Sequence, residues 1–186
     1  MTETSQTSTK ENESMAETTI SDEMRGAIGR QLSRRVSFPV AESDIRKWAL
    51  AVYYPDHAPA RFIDADVAAT TRWGGIVAPE EFNPFAWLAA EAETAGEAIE
   101  QNNPDNTELA LGITPPGLKF QLNGGMTVEY GEPIRPGDVI TGVNVLADYT
   151  ERAGRLGLML FTVFEDTWTN QRGELVKRTR NTGIRY

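Results

Sequence analysis

An α+β fold, with helical segments first and one antiparallel sheet after them, is what this 186-residue sequence predicts. Three observations carry the prediction. Ile45, Trp48, Ala49 and Val52 follow the i, i+3, i+4, i+7 spacing of an amphipathic helix. Beyond Leu118 the chain changes to β-rich, partly alternating runs: MTVEY, DVITGVNVLADYTE, RLGLMLFTVFEDTWTN and ELVKRTRNTGIRY. Between them stand RPGD, ERAG and NQRG, turn sequences that fold successive runs into hairpins. Helices followed by a meander imply one sheet with a helix against one face.

Taken in order, residues 1–22 carry almost no large apolar side chains and a charge of −4. Such a segment buries too little surface to offset its ordering entropy, so it is expected to be a disordered acidic tail, or a docking tail, ahead of a domain spanning 23–186. Arg25, Arg30, Arg34 and Arg35 form the one basic cluster, which either flanks the first strand or holds phosphates. The helix AESDIRKWALAV follows, capped by Ser43 or the residues just before it and ended by Pro55. Asp64 is placed to cap a short helix in ADVAATTR, and WGGIVAP reads as an apolar turn. NPFAWLAAEAETAGEAIE reads as a longer helix with Asn83 and Pro84 at its start, the turn beginning as early as Pro79. Phe82, Phe85, Ala86, Ala89 and Ala90 give it an apolar face small enough for a curved sheet to wrap closely. Residues 101–116 contain NNPDN and ITPPG and are expected to be an irregular loop.

Composition excludes several classes of function. A net charge of −9 disfavours nucleic acid and anionic membranes, both of which call for basic surface. With no cysteine and a single histidine, disulfides, thiolate zinc sites, cysteine nucleophiles and His-rich metal sites are excluded, and no cofactor is expected. No apolar run approaches the roughly 18 residues of a membrane span. The N-terminus also lacks the order of a signal peptide. A soluble, cytoplasmic protein is the expectation.

WGGIVAPEEF, a long helix and LNGGMTVEYGEPIRPGDVITG, in that order, resemble the MaoC-like hydratase/dehydratase family, in particular its N-terminal (FAS1-like dehydratase) domain type. The likeness covers about Arg34 to Tyr186. It implies a single hotdog fold, a sheet wrapped around a central helix and joined edge to edge with a second hotdog. It also implies activity on acyl thioesters of coenzyme A or carrier protein, adding or removing water across the α,β-double bond. In catalytic members an Asp and a His five positions later share the acid–base work, and a backbone N–H at the start of the central helix polarises the thioester carbonyl. Positioned acid–base groups of this kind contribute about 10²–10⁴-fold.

In YYPDHAPARFID the likeness puts Asp56 on the Asp position and Arg61 on the His position. Arginine stays protonated and cannot act as a base at neutral pH. His57 adjoins Asp56 instead of following it by five residues, so the expected catalytic set of Asp56, His57 and Arg61 is degenerate. Asp56 is alternatively a turn residue, His57 an exposed loop residue, and Arg61 an ion-pair partner of Asp56. Glu80 and Glu81 lie where the likeness puts the carbonyl-polarising N–H. They suggest a thioesterase carboxylate or simply complement the helix dipole. Gly74 and Gly75 (with Gly124 and Gly125) are candidates for close approach of a pantetheine arm. Trp48, Trp73, Phe85 and Trp87 are candidates for lining an acyl channel or for core packing. Three functions stay open: a hydratase subunit completed by a catalytic hotdog partner, a non-catalytic acyl-thioester-binding homodimer, and a thioesterase using Glu80 or Glu81. A strongly curved sheet leaves an unpaired edge, so a homodimer or heterodimer is expected rather than a monomer.

Overall fold

Two of the turns read from the sequence, ERAG and NQRG, join neighbouring strands of a five-stranded antiparallel sheet, seen in a computed structural model that describes residues 18–88, 103–155 and 157–186. Its strands are β1 (Gln31–Val36), β2 (Gln121–Tyr130), β3 (Thr141–Gly154), β4 (Gly157–Thr169) and β5 (Leu175–Arg185), in the spatial order β1-β3-β4-β5-β2. The strands on either side of RPGD, β2 and β3, are not paired, so the expected hairpin there is a crossover instead. The NQRG turn sets the β4–β5 register, with Thr169 opposite Leu175 and Trp168 opposite Lys177. β2 pairs with β5 along one side and forms an edge of the sheet. Apart from Val128 it is exposed along its length, with Leu122 and Met126 turned to the surface.

The expected first helix is α2 (Glu42–Tyr53), ending ahead of Pro55. Its N-cap is Ala41, with no side-chain hydrogen bond, and Ser43 lies inside the first turn. Asp64 caps α3 (Ala65–Ala69) by accepting from Asp66 N and Val67 N at 2.9 and 3.1 Å. Asn83 accepts from Phe85 N at 3.0 Å, and Phe82 N bonds to Pro79 O at 2.9 Å, so the chain does begin to turn at Pro79. A 3-10 turn spans Ala86–Leu88. The remainder of the expected long helix, and the side chain of Trp87, lie outside the described residues.

Two further expectations change. The segment 18–22 is packed: Thr18 Oγ1 donates to Glu151 at 2.7 Å, Ile20 is buried, and Ser21 caps α1 (Asp22–Ala27). Residues 1–17 of the expected tail lie outside the described residues. The loop expected over 101–116 contains α4 (Asn106–Leu111). Tertiary contacts account for it, because Glu108 in its middle is fully buried against the Arg185 guanidinium of β5.

Three apolar clusters hold the layers together. Ile45, Phe82, Phe85, Ile140 and Trp168 belong to the one between α2, the Pro79–Leu88 segment and the sheet. Met24, Leu111, Leu146 and Leu160 pack α1 and α4 onto β3 and β4. Ala49, Phe62 and Val77 form a smaller third cluster. No helix among the described residues is long and apolar enough to cross a membrane.

Candidate functional site

One row of opposed residues crosses all five strands. Arg35 faces Gly142, Gly142 faces Trp168, Trp168 faces Lys177, and Lys177 faces Tyr130. Directly opposed side chains project from the same face of a sheet, so these residues form one continuous ledge. Phe85 rests on it, edge-on to Trp168 at a centroid distance of 5.1 Å. Gly142 makes room: a Cβ there would stand 3.1 Å from Phe85 and 3.2 Å from Arg35 Nε.

At the β2 end the ledge closes on Glu81. The Tyr130 hydroxyl donates to Glu81, and Lys177 Nζ donates to its other oxygen at 3.2 Å. The Tyr130 hydrogen bond, aided by Lys177, lowers the Glu81 pKa below the ordinary carboxylate value against the opposing effect of burial. Burial, and then the same carboxylate, push the Tyr130 phenol up to about 12. The Lys177 ammonium lies 5.2 Å from the Trp168 ring centroid and 5.3 Å from that of Tyr130.

A cleft of about 710 Å³ opens on this cluster, lined among others by Arg61, Phe62, Arg72, Trp73, Glu80, Glu81, Tyr130, Trp168 and Lys177. A shallower one of about 530 Å³ meets it at Glu81, Trp168 and Lys177 and is lined also by Arg35, Asn83, Phe85 and Leu88. Arg61 and Arg72 are exposed, with their guanidinium carbons over the Phe62 and Trp73 rings at 4.5 and 4.1 Å from the centroids. Arg135 pins the Trp73 segment by donating to its carbonyl at 2.9 Å.

Sequence reasoning gathered some of these groups. Arg61, Trp73, Glu80 and Glu81 line the larger cleft, and Phe85 lines the smaller. Gly74 and Gly75 line neither. Trp48 packs edge-on against Phe82 at 5.7 Å and belongs to the core. Asp56 and His57 are both exposed and absent from the lining of either cleft. Arg61 makes no ion pair with Asp56 among the described residues; it stacks on Phe62 instead. Tyr130 and Lys177 were missed. The short NQRG hairpin, by setting Trp168 opposite Lys177, was the signal for the second.

A family model described as FAS1-like, dehydratase domain region, matches residues 26–179. The chain belongs to this family. Its fold is the hotdog, and its coarse function is that of the hydratase/dehydratase group. Among solved structures, the ChsH1–ChsH2 complex from Mycobacterium tuberculosis aligns with TM-score 0.54 and 18% identity over 83% of this chain and 83% of that one. A MaoC-like dehydratase aligns with TM-score 0.54 and 20% identity over 87% of this chain and 42% of the other, so this FAS1-like domain spans less than half of that protein. At these identities the likeness is one of fold. No curated protein matches the sequence.

Proposed function

We propose that this chain is the acyl-thioester-binding member of an (R)-specific enoyl-thioester hydratase/dehydratase, completed by a second hotdog chain bearing an intact Asp and His five residues apart. One observation carries the reading. The cleft presents Arg61 and no imidazole, while the chain's one histidine sits exposed outside it. A permanently charged guanidinium cannot take the proton that hydration requires. Two features support a partner: the exposed edge of β2, unpaired among the described residues, and a structural neighbour that is itself a complex of two chains. Unpaired edges of this kind are sites for strand addition unless covered.

Loss of enoyl absorbance from crotonyl-coenzyme A tests the proposal, measured with this chain, with a hotdog chain carrying the intact pair, and with their mixture. Hydration that needs this chain in the mixture is expected. Full hydration by this chain alone, lost when Asp56 or His57 is replaced, overturns it. Binding without hydration in any mixture favours the homodimeric binding protein instead. Hydrolysis through Glu81 is the weaker alternative, because Tyr130 and Lys177 hold its carboxylate as a poor base. A free-thiol assay on acyl-coenzyme A substrates checks that point.

A further inference from the structure

Lys177 is an unusual lining for an acyl channel. Its side chain is only 11% exposed, and its ammonium lies near two aromatic rings, surroundings in which an apolar side chain would need no counter-charge. A nearly buried ammonium has to be paired. The partner found for it among the described residues is Glu81, whose own side chain is 63% exposed and which comes from a loop. Exposed carboxylates of this kind hold their partners weakly. The contrast within this protein is direct: Arg185 is held by Glu108 through two hydrogen bonds, at 2.7 and 2.8 Å, with both residues buried. An ammonium also offers three donors, and Glu81 uses one of them.

We propose that Lys177 is an anion receptor inside the cleft and Glu81 its displaceable stand-in, so that the site takes acyl thioesters whose acyl group carries a second, free carboxylate. The proposal rests on the acyl-thioester reading of the cleft and names its substrate class. The incoming carboxylate replaces Glu81, which moves into solvent at little cost. It then accepts from Lys177 through one oxygen and from the released Tyr130 hydroxyl through the other. Arg61 and Arg72, being exposed, remain open to the phosphates of the carrier; Lys177, being nearly buried, serves the acyl end. A neutral acyl chain leaves Lys177 with Glu81 and gains nothing from either group.

Calorimetric titration of the full chain with glutaryl-coenzyme A and valeryl-coenzyme A, equal in carbon number, tests the proposal. The glutaryl ester is expected to bind at least tenfold more tightly. Lys177→Met removes that preference, glutaryl affinity falling to the level of the valeryl ester. Glu81→Gln, which removes the competing carboxylate, tightens the glutaryl ester severalfold. Equal binding of the two esters by the unaltered chain overturns the proposal while sparing the acyl-thioester reading. So does a Glu81→Gln variant with unchanged glutaryl affinity. Binding of neither ester overturns both.

Discussion

Replacing Glu108 by Gln keeps the volume of the side chain and removes its charge, which isolates what the buried ion pair does for the fold. Glu108 is 0% exposed and Arg185 2%. Besides its two bonds to Glu108, the guanidinium donates to Pro104 O at 2.7 Å and to Thr162 Oγ1 at 2.9 Å, and the Tyr149 hydroxyl donates to Glu108. These bonds join α4 and the chain entering it to β3, β4 and the last residues of β5. Burial alone lowers the Arg185 pKa, and its hydrogen bonds and attraction to Glu108 more than reverse that, so the charge stays. Removing one partner of a buried pair costs about 3–5 kcal/mol, since the other is left uncompensated. In a domain of this size each kcal/mol lowers Tm by ~2–4 °C, so Glu108→Gln is expected to lower Tm by roughly 6–20 °C. Urea unfolding followed by tryptophan fluorescence gives the free energy, with an unchanged m-value as the check that unfolding stays two-state. The double variant Glu108→Leu/Arg185→Met is expected to be more stable than Glu108→Leu or Arg185→Met alone, because it removes both charges of the buried Glu108–Arg185 pair together. A loss below about 1 kcal/mol for Glu108→Gln, or additive losses in the double variant, would refute the reasoning.

Gly131→Ala is expected to destabilise the domain by at least the ~1–3 kcal/mol typical of overpacking. A Cβ there would lie 2.1 Å from the Leu175 carbonyl oxygen, and urea unfolding measures the loss. Asp138 is 2% exposed and accepts from Arg135 N, Gln171 Nε2 and Arg172 Nη1 at 2.8, 3.0 and 3.0 Å, so Asp138→Ala is expected to cost ~1–3 kcal/mol in the same assay. Tyr130, with its phenol raised to about 12, is expected to titrate late in an ultraviolet pH titration. A raised folded-state pKa means that the neutral hydroxyl contributes fully below pH ~10, the unfolded value, and that the contribution is lost as pH climbs toward 12. Tyr130→Phe removes that late step, and Glu81→Gln moves it to lower pH.

The strands were legible because alternation and turn chemistry are local. NQRG, ERAG and the Asp64 cap act over a few residues, and the elements they bound appeared near the expected places, whereas RPGD leads between strands that find other partners. What stayed hidden depends on residues distant in the chain. Asn103, Pro104 and Asp105 carry turn chemistry that hides α4, and the arginine that draws Glu108 inward lies 77 residues on. The ledge from Arg35 to Tyr130 required the register of four strand pairings at once. The neighbouring Asp56 and His57 drew attention as acid–base equipment, yet a Pro-broken loop leaves both exposed, away from the cleft lining. Arg61, the other residue that the family likeness singles out in this loop, does line the cleft.

The most direct test is made on one sample of this chain, purified without any other hotdog protein. An acyl-coenzyme A is titrated calorimetrically, and crotonyl-coenzyme A turnover is then followed before and after Asp56→Asn and His57→Gln. The account predicts saturable binding, no hydration above the uncatalysed rate, and no effect of either substitution on affinity. Turnover by this chain alone that falls with either substitution would contradict it.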